Sequence, residues 1–351
     1  MKKKLILALT CTFALVTMLT ACGKSSSGNA ANGGSSAANG FGDTIAVKYS
    51  VTYPATGTQA DGANALAELI EECSDGRLKM EFYPSSQLGD KASTFEGLRA
   101  GTIEMTECAA TDLSAFSDMW SVFSLPYLWE NGSQAVNTVM DEDVKAMLEA
   151  DAEANGFKII AWTDIGSRSV LNKTRTVNTA DDLKGLKLRC MEDAVLANSV
   201  NALGAIATPL ASSEIYTALQ QGTIDGLDHT PSVIAANSWY ELCKYYTLTE
   251  HFTIPDPVFV SKVWFDRLSP ENQDAIIEAG EKFSNKWNNE IWPAATEEGV
   301  KVMEENGVEI VKVDKTPFME KTQPVVEDFL ANASDSQKEL YDLLVATREK
   351  Y

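Results

Sequence analysis

The sequence predicts an α/β protein in which two lobes form a clamp, joined by crossover segments and by one long helix that spans both. Three observations predict it. Residues 45–83 alternate strand, helix and strand; an eleven-residue pattern recurs 121 positions further along; and residues 270–305 read as a helical run too long for one small lobe.

The first lobe opens with "IAVKYSVTY" (45–53), a β-branched and aromatic strand. "GANALAELIEECSDG" follows, with Ala63, Leu66, Leu69 and Ile70 on one helical face. "RLKMEFYP" is a second strand, with Leu78, Met80 and Phe82 alternating against charges. This β–α–β order argues for a parallel sheet with crossover helices.

The recurring pattern is "FEGLRAGTIEM" (95–105) and "YTALQQGTIDG" (216–226). Each copy reads as the end of a helix, a glycine suited to the left-handed stop position, and the start of a strand. Two lobes built on the same corner follow from it. In "LSPENQDAIIEAGEKFSNKWNNEIWPAATEEGVKVMEENG" (268–307), Ser269 caps, Pro270 fits the first helical position and Gly307 stops. A continuous helix over 270–305 is about 54 Å long at about 1.5 Å per residue. Pro293 is expected to kink or interrupt it.

The amino terminus sets the location. "MKKK" followed by "LILALTCTFALVTML" has the charge and length of a secretory leader rather than of a spanning helix. The ending "LTAC" resembles a bacterial lipobox, which implies cleavage before Cys22 and lipidation of its sulfur. Residues 23–40 are Gly, Ser, Ala and Asn with one charge, a composition that tethers and does not fold. The expected organisation is a leader at 1–21, the lipidated cysteine and linker at 22–43, one lobe from 44–165 plus 254–294, and the other from 166–253 plus 295–351. The protein is then expected on the extracytoplasmic face of the cytoplasmic membrane, held by lipid.

Fifty acidic residues against 29 Lys and Arg leave a formal net charge of −21. Removing the leader takes three lysines and no acid. Such a surface argues against nucleic acid and anionic lipid as partners. Cys73, Cys108, Cys190 and Cys243 are widely spaced, with no pair at CxxC distance, which points away from zinc; they read as free thiols. No metal or other cofactor is implied. The chain has two histidines and neither G-x-S-x-G nor H-E-x-x-H, so catalysis is disfavoured.

"DLKGLKLRC" (182–190) reads as a short helical start, a glycine stop and a strand. Leu186, Leu188 and Cys190 share one face, so Arg189 points away from that apolar side. From the residues alone, a solvated strand arginine explains it better than a ligand anchor does.

"YPSSQLGD" (83–90), "GLRAGTIEM" (97–105), "FSLPYLW" (123–129), "GSRSVLN" (166–172), "DLKGLKLR" (182–189), "TPLASSEIYTALQQGTIDG" (208–226) and "FVSKVWFDRLSPENQ" (259–273) occur in one order behind a lipoprotein leader. Together they resemble the DctP-type solute-binding proteins of tripartite ATP-independent periplasmic (TRAP) transporters, across about 45–350. The resemblance implies a periplasmic-binding-protein-like clamp, expected as a monomer, that traps an organic acid and hands it to permease subunits in the membrane. It implies that Arg189 forks onto the ligand carboxylate and that Arg168 assists. The family's Asn after "DG" falls on His229, or on Thr230 given one extra residue before Pro231. A charged imidazole at His229 would add attraction for an acid.

Asp228 and Glu214 are candidates for bonding ligand hydroxyls, although Glu214 also suits a helix first turn. Ser212 stands where many relatives carry an aromatic, which widens that wall. Tyr53 is a candidate to supply an aromatic instead, and Thr52 a polar contact. Ala109 stands where acid-sugar binders carry Glu, with Glu107 two positions earlier on the same face. Ser212, Glu214, Asp228 and His229 favour a sugar acid, a hexuronate or aldonate, whereas Ala109 departs from that pattern. The alternatives are a C4-dicarboxylate, a binding protein of an ATP-driven transporter, and the input subunit of a sensor.

Overall fold

A computed structural model describes residues 44–351; the expected leader, Cys22 and the linker lie outside the described residues. The chain begins β1 (Ile45–Ser50), α1 (Thr58–Cys73), β2 (Leu78–Tyr83), α2 (Lys91–Ala100), β3 (Met105–Glu107), then α3 (Gly132–Val139), α4 (Glu142–Ala154) and β4 (Phe157–Thr163). It continues β5 (Ser167–Asn172), β6 (Lys187–Cys190), α5 (Ala194–Ala202), β7 (Ile206–Pro209), α6 (Ile215–Gln221), β8 (Gly226–His229), α7 (Pro231–Ala236) and β9 (Tyr245–Thr253). It closes with β10 (Asp256–Ser261), α8 (Lys262–Phe265), α9 (Pro270–Lys286), α10 (Trp292–Glu305), β11 (Glu309–Lys312), α11 (Thr316–Asn332) and α12 (Asp335–Arg348).

These strands form two sheets, ordered β2-β1-β3-β10-β4 and β11-β9-β5-β8-β6-β7. One plan is used twice. In each sheet one strand pairs in parallel with the next two in the chain, β1 with β2 and β3, and β6 with β7 and β8. The sheets are nevertheless mixed and not purely parallel. β10 runs antiparallel between β3 and β4, and β5 runs antiparallel between β8 and β9. Each inserted strand arrives from the other sheet after a connection of two or three residues. No local periodicity distinguishes such a strand from one that stays at home.

The two connections lie side by side. Thr253 pairs with Ser167 and Asp256 with Thr163, so a two-stranded ribbon joins the sheets. The Ser167 and Thr253 hydroxyls are 2.7 Å apart.

The repeated corner has one physical form. Gly101 (φ 71°) ends α2 and Gly222 (φ 76°) ends α6, both left-handed, where a Cβ would be strained. The acid that follows has the same task in each copy. Glu104 accepts the backbone N–H of Lys48 at 2.8 Å, and Asp225 accepts that of Lys187 at 2.9 Å. Each carboxylate thus docks the central parallel strand, β1 or β6, against the corner.

The long helix runs on past Pro293, but through a π-helical turn at Trp287–Ile291. Proline cannot donate to the preceding turn, and the wider turn relieves its clash there. The π turn is pinned to the ribbon. Trp287 Nε1 donates to the carbonyl of Asp164 at 2.8 Å, and Asn288 Oδ1 accepts the Asp164 N–H at 2.7 Å. Before it, α9 packs on α1 and β4; after it, α10 packs on α7. The helix therefore serves both sheets. α12, expected with the second lobe, instead packs on α3, α4 and the 3₁₀ turn Asp118–Ser124, burying Leu340 and Leu344. The 17-residue α11 spans about 25 Å, enough to return the chain to the first sheet. Cys73, Cys108, Cys190 and Cys243 are free thiols, the last three buried.

Candidate functional site

The carboxyl-terminal ends of the parallel strands carry the charged side chains. That edge is where open α/β sheets bind ligands, because strand ends and loops there leave polar groups unpaired. Arg189 stands on β6 beside Thr208 of β7 and Leu227 of β8. Leu186, Leu188 and Cys190 are buried in the core, as the alternation requires, and the Arg189 side chain points away from them. The residue is only 5% exposed. Its Nε donates to the carbonyl of Leu210 at 2.9 Å, and among the described residues no carboxylate lies within ion-pair distance of it. Burial, and then the charge of Arg168, pull its guanidinium down to about 10.

Arg168, on β5, is 7% exposed and already partnered. Its Nε donates to Asp228 Oδ2 at 2.5 Å and its Nη2 to the Asp228 carbonyl at 2.7 Å. Burial raises the Asp228 carboxyl, but the fields of Arg168, His251 and Arg189 reverse this and hold it below its ordinary value. Asp228 is therefore first a counter-ion, with Oδ2 committed to Arg168. The pair leaves Arg189 as a desolvated positive charge beside a neutralised one.

His229 follows Asp228 at the end of β8. Its Nδ1 accepts the Thr230 N–H at 3.0 Å, so the proton sits on Nε2 and that nitrogen donates. Burial and the charges of Arg168, Arg189 and Lys91 push it well below 6.5. The imidazole is neutral at physiological pH, so the added attraction of a charged ring does not arise. Thr230 is buried at the N-cap position of α7.

The first sheet supplies the facing wall. Tyr49 and Tyr53 donate to Glu107 Oε2 at 3.0 and 3.2 Å, and Thr163 donates to its Oε1 at 2.9 Å. Thr52, Lys91 and Glu107 line one small cavity there. Lys91 Nζ meets Asp112 Oδ2 at 2.6 Å. Burial raises Glu107 despite its three donors, and burial with the Glu107 field raises Asp256 well above the usual carboxylate range. The two walls are close enough to interact electrostatically: Lys91 acts on His229, and Arg168 on Asp256.

Arg189, Arg168, Asp228, His229, Thr52 and Tyr53 thus gather at one place. Ser212 and Glu214 do not join the buried cluster. Both are exposed on the 3₁₀ turn Ser212–Glu214, and Glu214 Oε2 accepts the Ala211 N–H at 3.3 Å as a capping group. They lie just beyond Leu210, whose carbonyl Arg189 holds. Lys91, Asp112 and Asp256 were not legible as site residues. Glu107 had a signal: it stands 121 positions before Asp228, as Glu104 does before Asp225. Among the described residues no group of His, Cys, Asp and Glu is placed to hold a metal ion, and no helix is long and apolar enough to cross a membrane.

What this arrangement can do chemically is bind an anion. A planar guanidinium matches two carboxylate oxygens at once, and the low-dielectric setting strengthens that pair. Neutral donors and buried oxygens around it suit hydroxyl groups.

Comparison with known proteins agrees. The model of the DctP family, bacterial extracellular solute-binding protein, family 7, matches residues 49–332. The 2,3-diketo-L-gulonate-binding periplasmic protein YiaO of Escherichia coli is 30% identical over 274 residues, 78% of this chain and 83% of that one. A TRAP periplasmic solute-binding protein of Anaerococcus prevotii with bound D-glucuronate superposes with a TM-score of 0.82 at 27% identity, covering 88% of this chain and 99% of that one. The sugar acid-binding protein DctPAm of Advenella mimigardefordensis, in complex with galactonate, gives a TM-score of 0.82 at 25% identity, covering 88% and 98%. The two-sheet clamp, the ribbon between its sheets and the match over most of the chain place this protein in the DctP family of bacterial extracellular solute-binding proteins.

Proposed function

We propose that this protein captures a sugar monoacid, a hexuronate or aldonate, at the strand ends of its two sheets and delivers it to the membrane subunits of a TRAP transporter. The observation that carries this reading is Arg189: a buried guanidinium with no carboxylate partner of its own, beside an arginine that has one. Arg189 receives the ligand carboxylate. Arg168 keeps Asp228 as counter-ion and adds its field. His229 offers Nε2–H, and Thr52 and Tyr53 line the facing wall. Lys91 and Arg168 are each paired, so the charge balance suits one ligand carboxylate. A C4-dicarboxylate would bring a second charge against groups already neutralised.

The ligands named for the related proteins, D-glucuronate, galactonate and 2,3-diketo-L-gulonate, are sugar acids or their keto derivatives, which supports the same class. The role is binding and not turnover. Lipid on Cys22 holds the protein at the extracytoplasmic face as a monomer.

A thermal-shift screen over D-glucuronate, D-galacturonate, galactonate, succinate and malate tests the ligand. A bound acid at a hundred times its Kd adds about 2.7 kcal/mol, so a sugar acid is expected to raise the midpoint clearly. A shift with succinate or malate and none with any sugar acid would overturn the reading. Cys22→Ala is expected to release the protein from the membrane fraction.

A further inference from the structure

The strand pair that carries Arg168 is irregular beside it. Arg168 faces Phe252 on β9, whereas Val170 faces Thr247. Residues 248–251 therefore stand against Ser169 alone, a large irregular bulge on the β9 side. Side chains replace the missing ladder bonds. The Glu250 N–H donates to Ser169 Oγ at 3.1 Å, and the Val170 N–H donates to Thr249 Oγ1 at 3.3 Å. Thr249 Oγ1 also lies 2.8 Å from His251 Nδ1. Glu250 has φ +46°, a left-handed conformation that a non-glycine residue rarely adopts, and Lys315 Nζ holds its carboxylate at 2.8 Å.

A second left-handed residue clasps this bulge from outside. Tyr127 (φ +54°) belongs to the "FSLPYLW" stretch between β3 and α3. Its backbone N–H donates to the His251 carbonyl at 3.0 Å, and its hydroxyl donates to the Thr249 carbonyl at 3.1 Å. One residue from the first-sheet half of the chain, through its backbone N–H and its hydroxyl, thus holds the bulge in the second sheet at two points. The bulge in turn touches the site. Ser169, which takes the Glu250 N–H, pairs on its other side with His229. His251 is 1% exposed, and the charges of Asp228 and Arg168 both act on its imidazole.

We propose that Tyr127 is a positioning residue for ligand capture, acting through the 248–251 bulge to set Arg168 and its partner Asp228 on β5 and β8. Two strained residues bonded through one bulge, next to the strand that bears a binding arginine, form a unit that a packing role alone does not require. The inference rests on the function proposed above, because it takes Arg168 and Asp228 to be part of the ligand site.

Tyr127→Phe removes the hydroxyl and keeps the ring. It is expected to weaken D-glucuronate binding about fivefold to tenfold in calorimetry, as loss of one hydrogen bond would, with the melting midpoint almost unchanged. Galactonate is the probe if the wild type prefers it. His229 and His251 are the only two histidines, so their imidazole NMR signals give a readout independent of ligand. Both are expected to shift in Tyr127→Phe. Unchanged affinity, or a shift confined to His251, would overturn the inference.

Glu250→Gly tolerates the same backbone conformation and is expected to bind within about twofold of wild type, whereas Glu250→Val is expected to bind at least as poorly as Tyr127→Phe. Equal binding by the two Glu250 variants would also overturn it. Arg189→Ala separates the two claims. Normal D-glucuronate binding there defeats the proposed function, while lost binding there with normal binding in Tyr127→Phe defeats this inference alone.

Discussion

Arg168 grips Asp228 twice, through Nε to a carboxylate oxygen at 2.5 Å and through Nη2 to the backbone carbonyl at 2.7 Å. The two residues are 60 positions apart in the chain and adjacent in the sheet. This pairing divides the labour between the two arginines. Arg168 is neutralised within the protein, and Arg189 has no carboxylate partner among the described residues.

Arg189→Ala should cost several kcal/mol of sugar-acid affinity, since breaking a buried charge pair costs about 3–5 kcal/mol. Arg189→Lys should also bind poorly, because an ammonium cannot fork. Arg189→Met should abolish binding yet raise the stability of the unliganded protein by about 1–3 kcal/mol, the scale on which a buried polar group without its partner destabilises. Calorimetry and denaturant titration of the three variants check this; near-normal affinity in the lysine variant would sink the bidentate claim.

Stability should depend on pH through His251. Its folded-state value is lowered to about 4 by burial, with Arg168 adding to that and Asp228 opposing it. The unfolded chain therefore binds a proton on this residue below about 6.5 while the folded chain stays neutral. The stabilisation is complete above about pH 6.5 and is lost as pH falls toward the folded value, by up to about 1.4 kcal/mol per pH unit. His251→Gln should flatten the stability profile over that window relative to wild type. Urea titrations at steps from pH 7 to 4 measure the difference, and parallel profiles would refute it.

Glu107 should behave as a structural acceptor whose charge is dispensable. Burial raises its carboxyl even though Thr163, Tyr49 and Tyr53 donate to it. Glu107→Gln keeps an acceptor and should change stability by less than about 1 kcal/mol, whereas Glu107→Ala leaves buried hydroxyls unpaired and should cost about 1–3 kcal/mol. Equal losses in the two variants, read by thermal melting, would contradict this.

Gly280 should resist any side chain. A Cβ there would drive into the carbonyl of Ile160 on β4, against which α9 lies. Gly280→Ala should destabilise by about 1–3 kcal/mol through overpacking. The open Gly185, where a Cβ meets nothing nearby but φ is +79°, should lose only about 1 kcal/mol, from backbone strain. A melting midpoint for Gly280→Ala above that of Gly185→Ala would be the wrong outcome.

Local chemistry was readable in the sequence, and pairing across the fold was not. Strand alternation in 186–190 turned Arg189 away from an apolar face, the Gly-Thr-Ile-acid pattern marked two equivalent corners, and Pro293 marked where the long helix changes its winding. Each depends on neighbours within a turn or a strand, so periodicity and backbone conformation determine it. Only the tertiary structure decided that Asp228 serves Arg168, that His229 is neutral, and that β5 and β10 exchange between the sheets. Those outcomes are set by desolvation and by charges brought together from distant parts of the chain, quantities that no local stretch of sequence contains.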